Sequence, residues 1–322
     1  MDLLSAILRD LRLESVVLSF ADLHAPWGFD KSKVNGAPFH IVTEGRALLK
    51  MEGKDAVELL AGDLLVLPGG AAHTLVSEPD AERVPFYDLL RSNGIDPDWV
   101  SDRSGRRFDR WRAGGDGSRT RMVNGVFGFP SPRPNHVIAA LPDVILIRGR
   151  LREGPAWLDG ILGQIIEEAA REEPGFQAII ERFADIIFIN AVRTSIAEDP
   201  TGGTNWLRGL RDPQIARVLT LVHQEPGRRW TVAGLAKEAG LSRSMLASRF
   251  RAITGTTVMD YVNARRMELA ETLLSSSHKP LAEIAVEVGY NSEISFGRAF
   301  RRWAGKPPGQ HRREGRRANG YG

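Results

Sequence analysis

The chain has 322 residues, 42% hydrophobic and 26% charged, with no cysteine and a formal net charge of +3. The length exceeds what one core usually organises, so two domains are expected, and the lack of cysteine excludes disulfides, thiolate zinc sites and cysteine nucleophiles. No apolar run is long enough to span a bilayer, and the start of the chain mixes charge into its apolar pattern, so no membrane association and a cytoplasmic location are expected. The charge is uneven: residues 206–322 carry net +10 and residues 1–205 net −7. A basic segment of this kind is the footprint of a polyanion, because each neutralised phosphate releases condensed counterions.

Between Pro38 and His73, short apolar runs (Phe39–Val42, Ala47–Met51, Val57–Leu60, Leu64–Leu67) alternate with Gly45, Gly53, Gly62-Asp63 and Pro68-Gly69-Gly70. This is the rhythm of hairpin-connected strands and predicts a small β-barrel. Gly62-Asp63, Pro68 and His73 resemble the second half of the cupin signature. Cupin enzymes hold a metal with a His-x-His pair, a Glu and a distant His, and the resemblance leaves His40, Glu44 and His73 as a remnant set, because Val42 stands where the second His belongs. Two readings are open: a metal site of these three residues, or a strand histidine (His40) and a turn-capping histidine (His73) beside a metal-free pocket lined by Trp27, His40 and His73. The second is adopted, with no metal and no cofactor expected; His24 and His136 are left unplaced.

Residues 82–140 are harder to read. Arginines cluster between Arg103 and Arg121 and are taken as a solvated face, Gly114 to Ser118 as a flexible loop, and Phe127-Gly128-Phe129 and Val144–Ile147 as further strands. Leu158, Ile161, Leu162, Ile165 and Ile166 form one apolar helical stripe. After Pro174-Gly175, the residues Phe176, Ile179, Ile180, Phe183, Ile186 and Ile187 form a second stripe, predicting a helical hairpin within 157–197. It either packs on the barrel or also pairs two copies into a homodimer. Residues 198–205 read as a linker.

Two segments near the end share one design. In the first, Val232, Leu235, Ala236 and Ala239 precede Gly240, followed by Ser242, Leu246 and Phe250; in the second, Leu281, Ile284, Ala285 and Val288 precede Gly289, followed by Ser292, Phe296 and Phe300. Each glycine suits a left-handed helix end, and each serine suits an N-cap, so both segments predict a helix-turn-helix. Residues from Thr256 to Leu274 predict one long helix between them.

Leu241-Ser242-x-Ser244-x-Leu246, Phe250, Gly255, Tyr261, Arg266-Met267, Ala270, Leu273-Leu274, Ile284-Ala285, Gly289-Tyr290-x-Ser292, Phe296-x-Arg298-x-Phe300-Arg301-Arg302, Gly305 and Pro307-Pro308 resemble the DNA-binding domain of the AraC/XylS regulators. Residues 2 to about 195, including Ala25-Pro26-Trp27-Gly28 and Leu141-Pro142, are similar to the cupin-type N-terminal domain of one AraC subgroup, whose barrels bind effectors. The resemblance implies contact with double-stranded DNA through Arg243, Ser244, Ala247, Ser248 and Arg251 of one reading helix. The other supplies Ser292, Glu293, Ile294, Gly297, Arg298, Arg301 and Arg302. Ile294 departs from the family's usual polar residue there and suits a thymine methyl.

The expected architecture is therefore α+β and multidomain: an N-terminal cupin-like β-barrel with a helical hairpin over 1–197, a linker, an all-α double helix-turn-helix domain over 206–313, and a basic disordered tail over 314–322. The expected function is a sequence-specific, non-enzymatic transcription regulator with a small-molecule effector and RNA polymerase among its partners. A cupin metalloenzyme fused to a DNA-binding module, and a nonspecific nucleoid-binding protein, are the alternatives.

Overall fold

The computed structural model describes residues 3–5, 14–95, 108–129, 138, 140–149, 154–171, 173–198 and 206–318. It divides into two compact units: Leu8–Thr201, and Gly202–Gly322 together with Met1–Ile7. Among the described residues, no helix is long and apolar enough to cross a membrane.

The first unit is a two-sheet barrel. Its strands are β1 (Glu14–His24), β2 (Gly28–Lys31), β3 (Ala37–Glu44), β4 (Arg46–Lys50), β5 (Val57–Leu60), β6 (Leu64–Val66), β7 (His73–Val76), β8 (Val84–Pro85), β9 (Phe108–Gly114), β10 (Arg119–Gly128) and β11 (Ile145–Ile147). One sheet has the order β11-β6-β3-β10-β1-β9, and the other β5-β4-β7-β2-β8. The four runs legible between Phe39 and Leu67 are strands β3 to β6.

Nearly every side chain of β3 is buried because the larger sheet is covered on both faces. Its inner face shares a core with the other sheet through Val42, Leu65, Trp111, Met122, Phe29 and Leu75. Its outer face carries Phe39 and Phe127, whose rings stack 4.5 Å apart. The hairpin of α2 (Ala156–Arg171) and α3 (Phe176–Glu198) lies on this outer face, with Phe188 5.0 Å from Phe127. A short helix α1 (Phe86–Ser92) precedes them.

Two expectations change here. The glycine-rich segment 114–118 is not a flexible loop: Gly115 and Gly117 donate to the carbonyls of His24 and Ala25, both at 2.8 Å. A Cβ on Gly114 would stand 1.8 Å from the His24 carbonyl oxygen, so close backbone approach dictates the glycine. Nor are the nearby arginines merely solvated, since Arg119 grips Asp22 with two hydrogen bonds of 2.7 Å, and Arg121 faces Glu44 at 3.5 Å. Arg103 to Arg107, His136 and residues 199–205 of the linker lie outside the described residues.

The second unit is all helical: a 3₁₀ segment Trp206–Arg211, then α4 (Pro213–Gln224), α5 (Val232–Glu238), α6 (Arg243–Thr254), α7 (Val258–Ser276), α8 (Leu281–Glu287), α9 (Glu293–Ala304) and α10 (Pro308–Ala318). The last helix runs past the expected tail boundary at 313, because Glu314 is held by Lys306 and Gln310; only residues 319–322 lie outside the described residues.

Helix α7 is the spine. Val258, Tyr261 and Val262 near its start are buried on the side of the first helix-turn-helix, and Met267, Ala270 and Leu274 join the core of the second with Ile284, Phe296 and Phe300. Its 19 residues span about 28 Å.

Candidate nucleic-acid interface and barrel interior

Each helix-turn-helix is built by local chemistry. Gly240 and Gly289 take φ of +66° and +84°, conformations that a Cβ disfavours. Ser242 Oγ accepts from Met245 N at 3.1 Å and Ser292 Oγ from Ser295 N at 3.2 Å, so both serines cap the helices that follow them. Both of those helices end in a left-handed glycine, Gly255 and Gly305.

Leu246 and Phe250, like Phe296 and Phe300, point inward and leave one face of each helix open. On α6, Arg243, Ser244, Ala247, Ser248 and Arg251 are exposed; at α9, so are the cap Ser292, Glu293, Ile294, Arg298, Arg301 and Arg302, with Gly297 half-buried. Ile294 is 70% exposed. Met245, at the first turn of α6, is 54% exposed and lies on the same surface; it is not among the residues named from the sequence. Arg249 is turned away and holds Asp212 and Gln214 at 2.8 Å.

Inside the barrel, four side chains of the larger sheet stand in one cross-strand row. Asp109 pairs with Ser19, Ser19 with Asn124, and Asn124 with His40. On the other sheet Lys31 pairs with His73. All six are buried, forming a polar layer beside the apolar core.

His40 and His73 link the sheets, with Nε2 atoms 2.9 Å apart. His40 Nδ1–H donates to Asn124 Oδ1 at 2.7 Å, and His73 Nδ1–H to the Ala71 carbonyl at 2.9 Å. Burial first, and Lys31 second, hold the His40 imidazole well below its ordinary range and push His73 down to about 4. Two neutral rings so oriented aim lone pairs at each other; a shared proton would join them but would add charge beside Lys31. Reversing the Asn124 amide removes that conflict and strands its carbonyl, whereas in the present orientation Nδ2 is the buried atom without a partner.

Trp27 packs on Phe29 in the apolar core, four residues along the chain from Lys31, and is not brought to the imidazoles. Glu44 is not either. Met122 pairs with Val42 but Arg121 pairs with Glu44, so a bulge at Thr43 sends Glu44 outward with Arg121. His24 sits at the exposed end of β1, 3.8 Å from Asp22.

The metal of cupin enzymes does not fit these residues: Val42 replaces one ligand, Glu44 faces outward, and the described residues contain no group of three or more candidate ligands.

A cupin barrel joined to a basic, doubly repeated helix-turn-helix domain defines a DNA-binding regulator. The chain matches the family model described as Cupin over residues 2–197 and the one described as Helix-turn-helix domain over residues 235–314. A putative AraC-like transcription regulator of Streptomyces antibioticus is 31% identical over 320 residues, covering 97% of this chain and 99% of the relative. The HTH-type transcriptional regulator AlkR of Acinetobacter baylyi is 28% identical, covering 98% and 100%. Among solved structures, the DNA-binding domain of AdpA in complex with a target DNA shares 28% identity at a TM-score of 0.32, covering 34% of this chain and 99% of that one. The chain belongs to the family of AraC-like transcription regulators.

Proposed function

We propose that the barrel is the sensory half of this transcription regulator. A small ligand at its polar layer sets how the DNA-binding half is used, without chemistry being performed on that ligand. The observation that carries this reading is the buried His40–His73 bridge between the two sheets, in a barrel whose enzymatic ligand set is broken. A polar pair in that position couples ligand occupancy to sheet geometry, and a ligand shifts a two-state equilibrium by its differential affinity for the states. The α2–α3 hairpin, with Ile166, Ile179 and Ile186 each more than 40% exposed, supports pairing of two copies as the relay. We place the protein in the cytoplasm, acting on promoter DNA with RNA polymerase as its eventual partner.

Genome-wide mapping of the bound DNA, followed by footprinting with the purified full chain, tests the reading. Protection of a defined operator at concentrations that leave random DNA free is expected, with ligand response lost in His40→Gln and His73→Gln. Equal affinity for random DNA, or turnover of a small molecule by a metal-loaded barrel, would overturn it.

A further inference from the structure

The two sheets of the barrel have two pairs of edges, and the seams between them are closed differently. At one seam the edge strands are β11 and β5. Arg148, directly after β11, ties them by donating to the Glu58 carbonyl in β5 at 2.8 Å and to Asp63 at 2.9 Å. At the other seam the edge strands are β9 and β8. Here the closing element is α1, whose Phe86 ring sits against one ring from each sheet: Phe29 of β2 at 5.3 Å and Trp111 of β9 at 5.8 Å. Leu90, one helical turn after Phe86, and Ile95 are buried members of the barrel core.

This wedge is lightly held. Helix α1 has seven residues, and an isolated helix shorter than about 12 residues is marginal in water. Pro85, at its N-cap, gives no side-chain acceptor to the first turn. Strand β8, which leads into it, pairs with β2 through Val84 and Pro85, and both are exposed. At the far end Asn93 Oδ1 accepts from the backbone N–H of Arg112 at 3.0 Å, which tethers the segment to β9. Of residues 82–95, Leu90 and Ile95 alone are buried. By contrast β1, next to β9, is zipped to β10 along almost its whole length. Releasing the wedge therefore breaks few contacts and leaves the other ladders of both sheets intact. Lys31 Nζ lies over the Phe86 ring, 4.5 Å from its centroid, and Lys31 pairs with His73 across β2 and β7. Withdrawing Phe86 thus uncovers the polar layer from the Lys31 side.

We propose that residues 84–95 form a gate, which swings out of the β9/β8 seam as one unit while the rest of the barrel stays folded. Its opening exposes the interior at Phe29, Trp111 and Lys31. The gate is a property of the fold; its use as the route of a ligand to the His40–His73 pair rests on the sensory reading above.

The chain has no cysteine, so single thiols report opening cleanly. Leu90→Cys places one in the gate and Leu49→Cys one in β4; both leucines are 2% exposed and belong to the same core, so the substitutions match in burial and volume. Each full-length variant, checked for a wild-type circular-dichroism spectrum, is labelled with an aromatic disulfide reagent at increasing sub-denaturing urea. Leu90→Cys should react about 100-fold faster than Leu49→Cys, with little dependence on urea, because local opening exposes little surface and global unfolding exposes much. Should a variant fail to fold, amide exchange of the wild-type chain decides: the Arg112 N–H, freed when the Asn93 tether leaves, should exchange about 100-fold faster than the amides of β10. Equal and strongly urea-dependent labelling at both positions, or an Arg112 amide as protected as those of β10, overturns the gate. Neither readout involves a ligand, so a fast gate alongside an operator footprint unmoved by a panel of small molecules leaves the gate standing and counts against the sensory reading.

Discussion

Arg229, in the loop ahead of the first helix-turn-helix, donates from Nη2 to the Asn291 side-chain carbonyl in the turn of the second, at 3.0 Å. The same junction is clamped from the spine by Arg266, which donates to the carbonyls of Pro226 and Arg228, each at 2.9 Å, and faces the Tyr290 ring. A Cβ on Gly289 would fall 2.6 Å from the Gly227 carbonyl oxygen. The two reading helices are thus held by a packed joint as well as by α7. Arg266→Met should cost about 2 kcal/mol or more, the scale of losing charged hydrogen bonds to buried carbonyls. Footprints of this variant should retain one half-site and lose the other; a wild-type footprint would show that α7 alone sets the spacing.

Arg298 projects from the middle of α9 with no packing role. If it reads a base, Arg298→Ala costs about 1–3 kcal/mol and relaxes preference at a single base pair. Selection from a randomised operator library checks this: a uniform loss with a smaller salt slope reassigns the guanidinium to a phosphate.

Gly297 offers a different kind of test. A Cβ there would meet nothing within 4 Å, so nothing inside the domain requires the glycine. In a helix interior, glycine is less stable than alanine by about 1 kcal/mol. Gly297→Ala should therefore raise thermal stability and, if α9 lies in the groove with its backbone against DNA at that point, weaken operator binding. Unimpaired binding would place α9 further from the groove.

Acid and base titrations should expose the polar layer. Lys31 sits at about 8 against an ordinary 10.5, so the unfolded chain binds more protons between those values and stability rises with pH from 8 to 10.5. The full effect is about 3 kcal/mol as an upper bound. His73, at about 4 against 6.5, works in the same direction: stability rises between pH 4 and 6.5 and is lost on acidification through that window. Urea unfolding at pH 7.5 and pH 10 should show the alkaline gain in the wild-type chain but not in Lys31→Met.

Ile166→Lys, Ile179→Lys and Ile186→Lys together remove the exposed apolar residues of α2 and α3 without touching the buried Phe188 and Ile187. Light scattering should report a dimer for the wild-type chain and a folded monomer for the triple variant; a wild-type monomer at high micromolar concentration refutes pairing through this face.

The C-terminal half was legible because its determinants are local. A glycine, a serine cap and a stripe at i and i+4 lie within one helical turn of each other, so Gly240, Ser242 and Leu246 declare their roles in the sequence. The barrel was legible only where turns punctuate it. Strand β1 is not legible because its parallel partner β9 lies about ninety residues downstream and its antiparallel partner β10 about a hundred, and long-range pairing leaves no periodic mark. Lys31 was invisible for the same reason: in Gly-Phe-Asp-Lys a lysine reads as solvated, and only the pairing of β2 with β7 turns it inward. Glu44 misled because a single bulge at Thr43 reverses the face that simple alternation assigns.

The two helix-turn-helix units follow one another head to tail in one polypeptide, and their exposed faces differ: short serine and alanine side chains on α6, isoleucine, glutamate and arginines on α9. No dyad relates them within one chain, so the stretch that a single copy would read is expected to be non-palindromic, whatever arrangement a pair of copies imposes on the whole operator. It is a word with a first and a second syllable, recognised in one orientation only. Reversing that word in front of a promoter keeps every base contact available, yet makes the protein face the other way along the chromosome.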